Sequence, residues 1–211
     1  MNERRLPMSW RNKLNLQRLD ERITPTATTA KHDIGVPSDR VASFVVNGGA
    51  SQRSKIYEVD INFNQQVALP ADPSDAIHIV KRVGDNKYKD VKLAPTTVTQ
   101  GENGNTIVRY VGPSSSDAII IDGDYKIVMT ARSLVGGATS APNELLGEFW
   151  SLSGDGNGDG VVNQLDYNIF LNALGTTPSV PGYADFFDFD NNGAIDQVDY
   201  QYFLQQLGNS I

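Results

Sequence analysis

Two stretches near the C-terminus carry most of the information in this sequence: residues 155–166 read DGNGDGVVNQLD and residues 188–199 read DFDNNGAIDQVD. They begin 33 positions apart, and the same offset continues into the residues that follow, where Tyr167 corresponds to Tyr200 and Phe170 to Phe203. A correspondence kept over so many positions indicates an internal repeat. The C-terminal part of the chain is therefore predicted to hold two copies of one loop, each followed by a helix.

The oxygen-bearing side chains of each stretch have the spacing of a calcium loop. Calcium is a hard cation that takes about six to eight oxygens, and a twelve-residue loop supplies them from side chains at positions 1, 3, 5, 9 and 12 and from the backbone carbonyl at position 7. Glycine at position 6 allows the sharp turn, and both loops have it, at Gly160 and Gly193. We therefore expect two calcium ions; magnesium fits poorly because such a cage would strip its waters. The predicted ligands are Asp155, Asn157, Asp159, Val161, Asn163 and Asp166 in loop one, and Asp188, Asp190, Asn192, Ala194, Asp196 and Asp199 in loop two.

Charge is distributed unevenly along the chain. The net charge is −7 and the pI about 4.8, which argues against a basic surface for nucleic acid. No lysine or arginine follows Arg132, although ten carboxylates do. A bound cation would relieve their mutual repulsion. Loop two offers four carboxylates and loop one three, so loop two is expected to bind calcium more tightly.

Each loop is followed by a pattern typical of an amphipathic helix, at residues 164–174 and 197–207. Gly175 and Gly208 suit left-handed caps at the helix ends. Val162 and Ile195, at position 8 of the loops, are expected to face each other as a short two-stranded bridge. A module of about 60 residues has a small core, so we expect it to loosen when calcium is removed.

Residues 38–150 alternate apolar and polar side chains with period two, which is typical of half-buried strands. Glycine, proline, asparagine and aspartate clusters separate the runs, so the segment is predicted to be an antiparallel β-sandwich of immunoglobulin-like type. The expected fold class is mainly β with a small α C-terminal module, divided as tail 1–37, sandwich 38–150 and calcium module 151–211. The expected strands are 41–46, 56–63, 77–83, 88–93, 106–111, 118–121, 125–131 and 145–150.

The sandwich sequence predicts no catalytic residue. Cysteine is absent, only two histidines occur, and there is no Gly-x-Ser-x-Gly elbow. Glu58 with Asp60, and Asp122 with Asp124, are carboxylate pairs of the kind that glycosidases use, but nothing distinguishes them from surface residues. The sandwich could bind a carbohydrate, a protein or nothing. Trp150 is a candidate for its interface with the calcium module, the alternative being the sandwich core.

The N-terminal segment 1–37 carries a basic excess and no apolar stretch after it, so no standard cleavable signal peptide is visible. We expect a disordered tail or an export segment. The run 16–22, LQRLDER, resembles a short N-terminal motif of large secreted bacterial proteins. No stretch approaches the roughly 18 apolar residues of a membrane span.

Residues 155–208 resemble a dockerin type I domain, a family with two loop–helix repeats that lack the incoming helix of an EF-hand. Aspartate at position 12, at Asp166 and Asp199, is also similar to that family. The resemblance implies calcium binding, an extracellular or cell-surface location and docking to a cohesin-like or surface protein. The family's recognition positions hold Gln164-Leu165 and Gln197-Val198 in the loops, and the matching helix positions Leu171-Asn172 and Leu204-Gln205 are not basic. The cohesin-binding surface therefore does not carry over residue by residue.

The leading hypothesis is a non-enzymatic secreted or surface protein whose dockerin-like module serves assembly or attachment. The first alternative is a carbohydrate-binding accessory protein of a polysaccharide-degrading system, and exposed tryptophan or tyrosine on one sandwich face would favour it. A small glycoside hydrolase is the second alternative, and it would need two facing carboxylates in a cleft.

Overall fold

A computed structural model describes residues 35–93, 95–112, 118–137 and 142–211. Most of the segment expected to be a tail or export address, residues 1–34, lies outside the described residues. The first described strand begins at Val36, two positions before the start expected for the sandwich.

Two sheets form the N-terminal part of the described chain. One sheet has the order β1–β9–β8–β4–β5 and the other β2–β3–β7–β6. Every neighbouring pair is antiparallel except β1 with β9, which is parallel. This strand order confirms an immunoglobulin-like sandwich in a mainly β chain. The strands are β1 Val36–Pro37, β2 Val41–Val46, β3 Glu58–Phe63, β4 Ile77–Gly84, β5 Lys87–Val91, β6 Thr97–Gln100, β7 Thr106–Val111, β8 Gly123–Thr130 and β9 Asn143–Ser151.

Alternating apolar residues build the core between the sheets. In β3, Val59, Ile61 and Phe63 are fully buried, whereas the residues between them are partly exposed. The hydroxyl of Tyr125, near the start of β8, donates to the carbonyl of Ile121. A tyrosine that bonds the backbone a few residues upstream in this way is characteristic of immunoglobulin-like sandwiches.

The strand prediction was wrong in two ways: one expected strand is not formed, and two strands that are formed were not expected. Residues 118–121 were expected to form a strand, but they contribute only an isolated bridge between Ile120 and Ile56. Strands β1 and β6 were not expected. All four residues of β6 are exposed, so no apolar alternation marks the strand in the sequence.

The C-terminal part contains helices α1, Gln164–Ala173, and α2, Gln197–Gln206, which confirms the two helices within one residue at each end. They enclose a second core in which the Phe170 and Phe203 rings stack with centroids 4.8 Å apart. None of the helices in the described ranges is long and apolar enough to cross a membrane. The buried members of this core are Leu152, Val162, Phe170, Ala173, Phe187, Ile195 and Phe203.

The expected backbone bridge between Val162 and Ile195 was wrong, because each residue pairs with the chain that follows the other repeat's helix. Val162 donates to the carbonyl of Asn209 and accepts from the N–H of Gly208, both at 2.9 Å. Ile195 makes the equivalent pair of bonds with residues 175–176. The left-handed glycine after each helix, with φ of 85° at Gly175 and 90° at Gly208, lets the chain return to the opposite loop.

Candidate metal centre

Loop one closes around the position 1 carboxylate, Asp155, which is fully buried. Its Oδ1 accepts hydrogen bonds from the N–H groups of Gly158 (2.6 Å) and Asp159 (3.2 Å). Its Oδ2 accepts from the N–H of Gly160 (3.0 Å) and from the indole N–H of Trp150 (3.1 Å). Gly160 has a φ of 82°, so the glycine at position 6 takes the left-handed conformation that the turn requires. These four hydrogen bonds fix the orientation of the Asp155 carboxylate.

The position 12 carboxylate, Asp166, links the start of loop one to its end. It is fully buried, and its Oδ1 accepts from the N–H groups of Gly156 (2.9 Å) and Asn157 (3.1 Å). Its Oδ2 accepts from the N–H of Asn163 (2.9 Å), while the Asn163 side chain accepts from the N–H of Leu165 (2.8 Å). These reciprocal bonds form a capping box at the start of α1. The same two side chains are predicted calcium ligands, so the loop and the helix start are one structural unit.

Loop two repeats most of this arrangement, with a different side-chain donor to the position 1 carboxylate. The Asp188 Oδ1 accepts from the N–H of Asn192 (3.1 Å), and its Oδ2 accepts from the N–H of Gly193 (2.9 Å). The hydroxyl of Tyr183 donates to Oδ2 at 2.7 Å. It is the side-chain donor to the position 1 carboxylate in loop two, as the indole of Trp150 is in loop one. Gly193 has a φ of 84°.

The end of loop two carries the second capping box. The Asp199 Oδ1 accepts from the N–H of Phe189 (2.7 Å) and its Oδ2 from the N–H of Asp196 (2.8 Å). The Asp196 side chain accepts from the N–H of Val198 at 2.7 Å. In both repeats, the position 12 carboxylate thus accepts hydrogen bonds from the backbone of its own loop.

Carboxylate oxygens converge in loop two. Asp188, Asp190 and Asp199 each offer one oxygen, and these oxygens all lie within 4.8 Å of one another. The equivalent residues of loop one are Asp155, Asn157 and Asp166, in which an amide replaces the middle carboxylate. The structure thus brings together oxygens from positions 1, 3 and 12 of loop two, as the spacing predicted.

The pKa shifts in the loops have identifiable causes. Burial raises the pKa of Asp199, and the neighbouring charges of Asp190 and Asp188 raise it further, against its backbone hydrogen bonds. Bonds from the Asn157 amide and the Val161 N–H lower the pKa of Asp159. The raised pKa of Asp199 reflects first the cost of ionising a buried carboxyl group and then the two carboxylates close to it.

These residues fit calcium. The donors are carboxylate, amide and carbonyl oxygens, which a hard cation prefers, and neither loop contains a nitrogen or sulfur ligand of the kind that zinc or copper selects. A divalent ion among the carboxylates of loop two would offset the repulsion that raises the pKa of Asp199.

One donor to the site was not predicted from the sequence, and one open alternative is decided by the structure. Tyr183 lies outside the twelve-residue loop, so ligand spacing alone could not identify it as a donor to Asp188. Trp150 was expected either at the module interface or in the sandwich core, and its bond to Asp155 and its packing against the C-terminal core place it at the interface.

The carboxylate pairs of the sandwich are engaged in other contacts. Both oxygens of Asp60 bind Arg109, at 2.7 and 2.6 Å. Asp124 pairs with Arg82 at 2.7 Å. Asp122 accepts from the N–H and hydroxyl of Ser153, both at 2.9 Å. Three of the four carboxylates considered for glycosidase chemistry are therefore engaged in ion pairs or hydrogen bonds.

Comparison with known proteins identifies the C-terminal part. Residues 153–207 match the family model of the dockerin type I domain. The C-terminal module is a dockerin type I domain. The match spans 55 of the 211 residues and includes both predicted calcium loops and both helices. Type I dockerins are known to bind calcium and to serve protein–protein assembly. No curated protein matches the chain.

Two solved structures show distant similarity to about two thirds of this chain. One is an N-terminal interface mutant of a type II cohesin–X–dockerin complex from Acetivibrio cellulolyticus, at 17% identity and a TM-score of 0.27 over 64% of this chain and 82% of that one. The other is a C-terminal interface mutant of such a complex from the same organism, at 16% identity and a TM-score of 0.26 over 70% and 92%. The superposition is too poor for either to inform the function of this chain.

Proposed function

We propose that this protein is a calcium-dependent attachment protein, in which the dockerin module binds two calcium ions and docks to a cohesin-type protein while the sandwich is carried with it. The convergence of three carboxylates in loop two, two of them buried and the third, Asp190, exposed, is the observation that supports this most strongly. The family match adds the expectation of a protein partner.

Calcium would be held in each loop by the six predicted positions. In loop one these are Asp155, Asn157, Asp159, the carbonyl of Val161, Asn163 and Asp166, and in loop two Asp188, Asp190, Asn192, the carbonyl of Ala194, Asp196 and Asp199. The bound ion neutralises the loop carboxylates and holds the loop closed. Because position 12 also caps the following helix, ion binding would order the helix start together with the loop.

The two helices offer a surface for the partner. Leu165 and Val198 are exposed at equivalent positions of the two loops, and Leu171 and Leu204 at equivalent positions of the helices. At the helix positions, Leu171 and Leu204 are apolar where recognition in the family relies on basic residues. We infer that the partner's contact surface is also apolar, so that these leucine and valine side chains are buried in the core of the interface.

The proposed location is extracellular or at the cell surface, where dockerin modules belong to cohesin-based assemblies. Calcium at the concentrations found outside cells would fill loops of this kind. We propose a non-enzymatic role for the sandwich, since Asp60, Asp122 and Asp124 are engaged in structural contacts.

The structure offers no observation that favours carbohydrate binding by the sandwich. Among its described residues, the aromatic side chains are buried or partly buried, and Tyr88 lies beneath the ammonium group of Lys126. A glycan platform would need exposed aromatic faces on one side of a sheet.

Binding of the full chain to a panel of immobilised type I and type II cohesins, in calcium and in EDTA, tests this proposal. We expect at least one cohesin to bind in calcium and to release in EDTA. The variant pair L171D/L204D should abolish binding while calorimetry still shows two bound ions, and S43D, at an exposed position on β2, serves as the control. Binding to every cohesin that is equally strong in EDTA, or no binding to any of them, would contradict the proposal.

A further inference from the structure

A short segment of the sandwich contacts both calcium loops at the same point of the repeat. This segment, residues 51–55, precedes β3 and is called the bridge segment below. The backbone N–H of Arg53 donates to the carbonyl of Asp155 at 2.8 Å, and the Lys55 ammonium donates to the carbonyl of Asp188. Asp155 and Asp188 both occupy position 1, so the two bonds reach equivalent atoms of the two repeats.

Ser54 lies between these two contacts and bonds to the chain on both sides. Its hydroxyl donates to the carbonyl of Phe186 at 2.8 Å and accepts from the N–H of Gly154 at 2.9 Å. The residue is 2% exposed, so loss of the hydroxyl would leave buried polar groups without this partner. The carbonyl of Arg53 also accepts from the N–H of Leu152 at 2.9 Å.

Position 4 of each loop provides a second equivalent contact. At Gly158, which has a φ of 78°, an added Cβ would lie 1.8 Å from the carbonyl oxygen of Ser51. At the matching position of loop two, Asn191 has a φ of 56° and accepts from the Lys55 ammonium at 2.7 Å. Glycine therefore occurs where the backbones touch, and asparagine where a side chain makes the contact.

The bridge segment leaves the coordinating atoms free. Calcium loops bind the ion through the side chain at position 1 and through positions 3, 5, 7, 9 and 12, so the position 1 carbonyl and position 4 are not ligands. These contacts nevertheless require both loops to be closed, because they are made to the backbone at position 1 and to the residues at position 4, which move when a loop opens. Lys55, which is 8% exposed, also supplies a cation to a region that has no lysine or arginine of its own after Arg132.

We propose that the bridge segment couples the sandwich to the calcium state of both loops. The inference rests on the proposed function of the loops as calcium sites. The segment docks on the ion-loaded loops and releases when they open, so the orientation of the sandwich relative to the dockerin module is fixed only in calcium. Arg53, Ser54 and Lys55 are positioning residues for the two loops.

Hydrogen–deuterium exchange of the full chain in calcium and in EDTA tests the coupling directly. The amide of Arg53 belongs to the sandwich, but its acceptor is an atom of loop one. We expect peptides that cover residues 50–57 to exchange about tenfold more slowly in calcium. Equal rates in a chain that calorimetry shows to bind two ions would overturn the coupling and leave the proposed function standing. A chain that binds no calcium would overturn both.

The variant Gly158→Asn separates the coupling from ion binding. It gives loop one the residue that loop two carries at the same position, keeps every predicted ligand, and suits a positive φ, but its Cβ would clash with Ser51. We expect G158N to bind two ions and to lose the calcium-dependent protection of residues 50–57. G104N is the matched control, because Gly104 has a φ of 74° and open space around its Cβ. Full protection retained in G158N would overturn the proposal.

Discussion

The carboxylates at positions 1 and 12 have two tasks in each loop. Asp166 and Asp199 are predicted ligands, and each also accepts hydrogen bonds from the start of its loop and from the residue that caps its helix. These roles are compatible because a carboxylate has lone pairs enough for several donors or for a donor and an ion. Ligand spacing predicts these residues from the sequence because the predicted ligands of each loop all lie within twelve consecutive positions.

Removing one position 12 carboxylate should remove one ion. We expect D199A to abolish calcium binding in loop two and D166A to abolish it in loop one, so that each variant binds a single ion. The site left in D166A should be tighter, because loop two contributes more carboxylates. Calorimetric titration of the two variants measures this, and a tighter remaining site in D199A would contradict the ranking.

The raised pKa of Asp199 predicts opposite effects of pH with and without calcium. Calcium needs the ionised carboxylate, so binding to loop two should weaken as pH falls towards that pKa. In the calcium-free protein the folded state holds this proton more tightly than the unfolded state does. Protonation therefore stabilises the fold at low pH, and this stabilisation is lost as pH rises through the raised pKa.

Thermal unfolding in EDTA between about pH 7 and about pH 4 compares the wild type with D199N. Asparagine cannot take up a proton in this range. We therefore expect the melting temperature of D199N to gain less than that of the wild type as the pH falls from about 7 to about 4. Identical pH profiles for the two proteins would show that Asp199 contributes nothing.

The elements of the dockerin module were more predictable than those of the sandwich. The helices follow from local periodicity and from caps that lie within four residues, as at Asn163 and Asp166. Strands β1 and β6 carry no such signal, because the first has only two residues and the second is exposed throughout. The partner of Val162 was missed because loop chemistry does not indicate which distant backbone completes its hydrogen bonds.

The returning turns after the helices should depend on glycine. Gly175 has a φ of 85° and no heavy atom within 4 Å of an added Cβ, so G175A introduces backbone strain without a clash. We expect it to destabilise the calcium-loaded module by about 1–2 kcal/mol. G84A is the control, since Gly84 has no positive φ and its nearest contact would be ordinary. Urea unfolding that shows equal stability for the two variants would contradict the assignment.

At the scale of the whole molecule, the junction between sandwich and dockerin was the part that the sequence did not reveal. Ser54 and Lys55 bond to residues 132 and 133 positions away. No periodicity or motif connects such distant positions, and in the sequence only Trp150 was a candidate for contact between the modules. The two hydrophobic cores are separate, whereas the hydrogen bonds of the bridge segment connect them.

Chelation should affect the two cores unequally. The dockerin core is small and depends on loops that calcium holds closed, so EDTA should lower the helical circular dichroism signal and the lowest melting temperature of the full chain. The sandwich signal should persist at moderate temperature. A spectrum and melting temperature that EDTA does not change would show that the module needs no ion to fold.

The account depends on two oxygen-lined loops that each hold an ion, and native mass spectrometry of the full chain measures this most directly. In calcium acetate we expect the mass of the polypeptide plus two calcium ions, falling to one ion in D166A and in D199A. The mass of the bare polypeptide under the same conditions would contradict the account.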